Sequence, residues 1–262
     1  MKSQQAEMSF LEHLGELRRR IFFSLAILVI AFMVAWNFAD RIYQWLAVPV
    51  LQFLPENGKL AFTSLTEPFM MYIKVSLIAA LFGSSPLLFH QLWLFISPAL
   101  YRQEKKWVIP FVLFTSIFFT AGGLFGYYVV FPFACRFFLH IGRDFTAIIT
   151  LQEYFRLAFR VLFGIAVIFE LPVLIFLLAK LRLVSAAFLW RYFRYAVVAI
   201  FIIAAIITPT PDMVTQSLFA GPMILLYLLS ILIAKIVNPQ NRTRKSERAA
   251  RRKAGGEKDR VD

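Results

Sequence analysis

The sequence predicts an all-α, polytopic membrane protein, and three observations predict it. Of the 262 residues, 60% are hydrophobic and 30 are Phe. A water-soluble domain of this length cannot bury that much apolar surface. Long apolar runs alternate with short charged breaks, as expected of helices that cross a bilayer and the loops between them. Alternate-residue patterning, the mark of outer-membrane strands, is absent. The two halves differ in span length and loop size, which argues against an inverted-repeat transporter. The net charge of +13 does not point to nucleic acid, because the cations sit in the breaks between spans, where membrane orientation accounts for them. The single cysteine, Cys135, allows no internal disulfide and reads as a packing residue.

Residues 1–20 are expected to form a short amphipathic helix, since Phe10, Leu11, Leu14 and Leu17 fall on one face. Glu12 and Glu16 are four apart on another face. Arg18-Arg19-Arg20 lead into the first span, 21–38. That run is long enough to cross and no small-residue cleavage pattern follows it, so it is not a signal peptide.

A first long loop covers 39–68, where Ile42, Tyr43, Trp45 and Leu46 suggest a helix lying on the membrane surface. The second span is 69–96, with a kink expected at Gly83-Ser84-Ser85-Pro86. A polar break at 97–106 follows and holds Glu104, the sole acidic residue between Glu67 and Asp144. The third span, 107–133, exceeds the ~20 residues needed to cross, so it should tilt or project. A second long loop is expected over 134–155, with Arg136, His140, Arg143, Asp144 and Glu153.

The fourth span is 157–179, and a basic break carries Lys180, Arg182, Arg191 and Arg194. The fifth span, 195–207, is too short at ~1.5 Å per residue to cover a ~30 Å core. It either thins the bilayer or extends outward along Leu189 and Trp190. Thr208-Pro209-Thr210-Pro211-Asp212 forms a tight turn into the sixth span, 213–234. Residues 1–237 thus make one six-span membrane domain. The Lys/Arg-rich tail, 238–262, has no apolar periodicity and should be disordered.

Six spans put both termini on one side. That side holds 4 Lys/Arg in the N-terminus, 3 in the 97–106 break, 4 in 180–194 and 10 from Lys235 onward, which is 21 of 28. The positive-inside rule therefore makes it cytoplasmic, with both long loops outside.

No catalytic constellation appears, and a non-enzyme without metal or cofactor is expected. His13, His90 and His140 lie in different segments, and there is no Gly-rich phosphate cradle. Glu170 stands at the centre of the apolar window Val161 to Ala179. A carboxylate at that depth costs about 2.5 kcal/mol or more and usually faces protein or water for a functional reason. A hydrogen-bonded structural carboxyl is the other reading. A proton-coupled secondary transporter could use it as a carrier group. Gln216, one turn past Asp212, can bond to a helix of its own chain or of a partner. Glu16 and Glu104 can either pair with the arginines and lysines beside them or capture an external cation.

Four motifs together carry a resemblance. His13-Leu14-Gly15-Glu16-Leu17-Arg18-Arg19-Arg20, Ser97-Pro98-Ala99-Leu100-Tyr101 with Glu104, Phe169-Glu170-Leu171-Pro172, and Thr208-Pro209 with Pro211-Asp212 and Gln216 resemble the TatC family of twin-arginine protein translocase subunits. The resemblance covers nearly the whole chain to about Ala234, in order and at the family's spacings.

It implies six helices in a concave, cupped bundle in the inner membrane. It also implies a receptor for folded precursors whose signal peptides carry paired arginines. Glu16 and Glu104 would bind the pair, with Arg18, Phe95 and Leu100 nearby. Glu170 would line the concave face where the signal hairpin inserts. Pro49 would belong to an outer cap. Gln216, with Thr208, Asp212 and the fifth span, would dock single-span partners of TatA and TatB type in a hetero-oligomer. Transport in the family is driven by the proton-motive force and uses no nucleotide.

Overall fold

The structure, a computed structural model, describes residues 2–52, 60–96, 108–145, 148–181, 183–208 and 212–237, with side chains from Leu14 onward. The polar break at 97–106, the Pro-Thr-Pro of the tight turn and the basic tail lie outside the described residues. The chain is helical, with no strand among the described residues, and it divides into two compact units, Met1–Phe169 and Glu170–Asp262.

The first unit contains α1 (Lys2–Trp36), α2 (Ala39–Leu51), α3 (Glu67–Ile96), α4 (Val108–Phe125), a π-helical turn (Gly126–Val130), α5 (Phe131–Ile141) and α6 (Leu151–Phe169). The amphipathic stretch and the first span, expected as two elements, form one helix. Nothing between residues 2 and 36 breaks helical geometry: the arginines are good helix formers, and no Gly-Pro signal separates them from the apolar run. The surface helix expected in the first loop is α2. The second loop is shorter than expected. α5 runs on to Ile141 and α6 starts at Leu151, so Arg136, His140 and Glu153 sit on helices rather than in a loop. Charged residues at span ends read as loop in the sequence, although a projecting helix satisfies its own backbone and keeps them at the interface. The loops 60–66 and 142–150 are stitched by one parallel bridge, Ala61 N–H to Ile149 O at 3.0 Å and Leu151 N–H to Ala61 O at 2.8 Å.

Five helical segments are long and apolar enough to cross a membrane: Leu14–Trp36, Glu67–Phe95, Ile109–Ile141, Leu151–Lys180 and Met213–Val237. Their surfaces are apolar, with Phe22, Ile30, Leu113 and Leu225 all more than half exposed, while Ser76, Ser84, Thr115, Thr215 and Ser230 are buried. This inversion of the soluble pattern suits lipid as the solvent. Close contact comes through glycine. A Cβ at Gly122 would stand 2.8 Å from Ala166 Cα of α6, and one at Gly123 would strike the Phe82 ring of α3. α4 is thus wedged between α3 and α6 by two adjacent residues without side chains.

Three prolines lie inside described helices, Pro49, Pro86 and Pro222, and at the first two a side-chain hydroxyl closes the gap in the backbone ladder. Pro86 has no N–H to give Phe82 O, and Ser85 Oγ donates to that oxygen at 2.7 Å. Ser84 Oγ donates to Ala80 O at 2.6 Å. α3 is helical throughout this stretch, Pro86 included. Pro49 likewise has no N–H for Trp45 O. There the donor is Tyr127 OH, brought in by the π-helical turn with its ring 4.1 Å from that of Trp45. Tyr154 OH of α6 donates to the next carbonyl, Leu46 O, at 2.6 Å. Both tyrosines are buried.

The second unit holds α7 (Leu171–Lys180), α8 (Ala186–Arg191), α9 (Phe193–Ile207) and α10 (Met213–Val237). α10 packs against the other three. One cluster of its core gathers Ala179, Leu189 and Ala234, and Tyr227 OH donates to Leu189 O at 2.9 Å. α9 has 15 residues, about 22 Å at 1.5 Å per residue, and it is a shorter apolar helix outside the five that are long enough to cross. It does not extend through Leu189 and Trp190, which belong to the separate α8, capped by Ser185 Oγ and split from α9 at Tyr192.

The Pro49 gap gives a prediction. Tyr127→Phe leaves Trp45 O buried without a donor and should cost about 1–3 kcal/mol, read as a lowered unfolding midpoint of the purified protein. Pro49→Ala in the same background restores an N–H and should recover most of the loss. A loss that Pro49→Ala does not recover contradicts the assignment.

Candidate functional site

The motif residues fall into three places. The first is the contact between α1 and α3. Glu16 is half-buried on α1, and its Oε1 accepts from Arg20 Nη2 at 3.2 Å, one turn away. Arg20 Nη1 also donates to Gln91 Oε1 of α3 at 3.3 Å. The three residues bridge the two helices at the rim of an apolar cleft of about 320 Å³, walled by Leu17, Leu25, Leu88, Leu92 and Phe95. Helical spacing produces this arrangement: 16 and 20 share a face, 17, 21, 24 and 28 line the cleft beneath, and 88, 91, 92 and 95 answer from α3. Of the residues selected from the sequence, Phe95 lines this cleft and Glu16 is tied to it through Arg20. Arg18 does not. It is exposed and lines a different hollow of α1, with Gly15, Arg19 and Phe22. Leu100 and Glu104 lie outside the described residues.

Arg20 and Gln91 were not singled out by the sequence. Arg20 read as one of three flanking cations. Gln91 carried a signal, a lone amide late in an apolar span, but its partner is 71 positions away.

The second place is Glu170, at the turn where α6 ends and α7 begins. Its backbone oxygen accepts from Leu174 N–H at 2.8 Å, and Pro172 fills the first turn of α7, where an N–H is not needed. Its Oε1 is buried with no hydrogen-bond partner among the described residues. A buried carboxyl oxygen left unsatisfied is unusual and costly, and it favours a ligand or a proton over an idle structural role.

The third place is the start of α10. Asp212 Oδ1 accepts from Thr215 N–H at 2.8 Å, its Oδ2 accepts from the Thr215 hydroxyl, and its backbone oxygen accepts from Gln216 N–H at 3.1 Å. This is helix N-capping. Gln216 Nε2 donates to Phe201 O of α9 at 2.8 Å, so the amide left open by the sequence packs within its own unit. Thr208, buried, ends α9 in extended geometry, as a residue before proline must. Pro49, buried on α2, belongs to the tyrosine-held turn described above.

The cap predicts that Asp212→Ala costs ~0.5–2 kcal/mol and speeds amide exchange at Thr215 and Gln216, while Asp212→Asn preserves protection. Unchanged exchange in Asp212→Ala would contradict the capping role.

Comparisons with known proteins agree on one family. The profile described as Sec-independent protein translocase protein (TatC) matches residues 12–222. A Koribacter versatilis protein of that name is 45% identical over 243 residues, 92% of this chain and 90% of the relative. A Helicobacter pylori (strain J99) protein of the same name is 44% identical over 87% of this chain and 89% of its own length. Two crystal structures described as the twin arginine translocase receptor TatC superpose with TM-scores of 0.76 and 0.78. They are 35% and 34% identical and are each covered over 99% of their length. The match spans every motif above, the apolar spans and the Glu16 cleft included, and the chain belongs to the TatC family, multi-pass inner-membrane components of the Sec-independent protein translocase.

Proposed function

We propose that this protein is the receptor subunit of a twin-arginine translocase. It captures folded passengers at the cytoplasmic face through the paired arginines of their signal peptides. The observation that carries the reading is the condition of Glu16. Its carboxylate accepts from a guanidinium at the mouth of an apolar cleft walled by Phe95. A place that holds one guanidinium has the charge and neighbours to hold another. Two guanidiniums on two carboxylates, Glu16 and Glu104, give charge-assisted and bidentate bonds that a lysine ammonium cannot copy. Phe95 supplies apolar surround from the cleft wall, the family resemblance adds Leu100, and Arg18 lines the neighbouring hollow of α1. The cytoplasmic placement follows from the distribution of Lys and Arg, with both termini inside.

Glu170 serves the deeper step, insertion of the signal hairpin, with its unsatisfied oxygen as the polar contact. Thr208, Asp212, Gln216 and α9 offer the docking face for single-span partners of TatA and TatB type in a hetero-oligomer, and Pro49 holds the outer cap. The short α9 favours partners that tolerate a thinned bilayer. Export draws on the proton-motive force rather than a nucleotide. The protein acts as a transport component and not as a catalyst.

The direct test is capture of a synthetic signal peptide. An Arg-Arg peptide should be retained about tenfold or more over its Lys-Lys counterpart. Equal retention would count against the receptor. In cells, Glu104→Ala should abolish export of a twin-arginine reporter with the protein still in the membrane. Normal export by that mutant rejects the assignment. Glu170→Ala should leave surface capture intact and weaken crosslinking of the peptide at mid-span. Undiminished crosslinking removes Glu170 from the insertion step.

A further inference from the structure

Arg20 occupies the oxygen that the receptor reading reserves for a passenger. We propose that Arg20 is an internal competitor, a guanidinium of the chain itself that holds Glu16 between passengers, sets the affinity a passenger must reach, and yields the carboxylate to an arriving signal-peptide guanidinium. The inference rests on Glu16 being an acceptor for the signal arginines.

Arg20 is held in the cleft rather than in solvent. Its side chain is 24% exposed and that of Glu16 is 31% exposed. It bonds to Glu16 Oε1 at 3.2 Å and to Gln91 Oε1 at 3.3 Å, and its Nε is buried with no partner among the described residues. Its two neighbours in the arginine triplet face elsewhere. Arg19 stands 5.7 Å over the Phe23 ring, and Arg18 lines the hollow on the far side of α1. Position 20 is one helical turn from 16, which is why the third arginine and not the first or second reaches the carboxylate.

Capture at Glu16 is then an exchange. The passenger's guanidinium replaces Arg20, and Arg20 keeps the Gln91 bond on α3, so it is not stranded when it lets go. Since the bond lost and the bond gained are of one kind, a single arginine gains little at this oxygen. The surplus must come from the rest of the peptide, the second arginine included. A lysine offers a point charge without the planar fork and exchanges at a loss. Displacing Arg20 costs every peptide the same, so it lowers all affinities by one factor, while the preference for Arg-Arg comes from the fork at the carboxylate.

The test uses the full-length protein in nanodiscs and two peptides identical but for Arg-Arg or Lys-Lys, with affinity read by fluorescence anisotropy. Arg20→Gln should tighten Arg-Arg and Lys-Lys alike, by about threefold to tenfold each, with their ratio unchanged. Arg20→Lys, which keeps the charge and the long stem, should fall between wild type and Arg20→Gln. Arg19→Gln removes the same charge away from the carboxylate and should leave both affinities unchanged. Affinities unmoved by both Arg20 variants, while Glu16→Gln still weakens binding, overturn the competitor and leave the receptor standing. An Arg19→Gln effect equal to that of Arg20→Gln also overturns it, because bulk charge would then explain both. Wild-type binding by Glu16→Gln removes the receptor reading and the competitor with it.

Discussion

Within hydrocarbon, a backbone carbonyl that loses its helical donor has no water to turn to. That constraint explains more of this molecule than any single contact. Each of the two prolines discussed above strands an oxygen four residues back, and each stranded oxygen has a hydroxyl on it: Ser85 on Phe82 O, Tyr127 on Trp45 O. The solutions differ in kind. Ser85 acts within its own turn, so α3 needs nothing from its neighbours at that point. Tyr127 acts across helices, so α2 is held by the bundle and the π-helical turn that delivers the phenol becomes part of the fold's logic. Such cross-helix hydroxyl bonds are modest one by one, on the order of 1 kcal/mol, but the position of the Pro49 turn rests on them.

The same scarcity of water shapes the ionic groups. A carboxylate near the membrane is tolerated where a cation or a wet surface answers it. Glu16 has its answer from Arg20, and Arg20 has Gln91 as a second acceptor. A site meant for passing guanidiniums cannot stand empty at low cost between passengers, and a guanidinium from its own chain is the closest substitute. Glu170 presents the complementary case, a buried oxygen with no donor among the described residues.

Much of this was legible in the sequence because lipid makes hydropathy a strong signal. The spans, the surface helix at Tyr43 and Trp45 and the short α9 all follow from run length. Boundaries were less legible where charged residues sit on projecting helix ends. Arg136 and His140 read as loop and are helix, and Arg18 to Arg20 read as a border between two elements and lie inside one. Partners across helices were not legible. Gln91 stands 71 positions from Arg20, and Tyr127 and Tyr154 stand 82 and 108 positions from the carbonyls they serve. Hydropathy says which residues are in the membrane but not which faces meet. The role of Ser85 was likewise hidden: beside a proline it reads as a second breaker, whereas its hydroxyl donates to the carbonyl that the proline leaves open.

The central claim is that Glu16 itself receives a passenger's guanidinium. A double-mutant cycle measures it directly, pairing wild type and Glu16→Gln with peptides that carry arginine or its neutral isostere citrulline. The account predicts a coupling of at least ~1 kcal/mol between the carboxylate and the guanidinium. Strictly additive losses would mean that the two groups never meet.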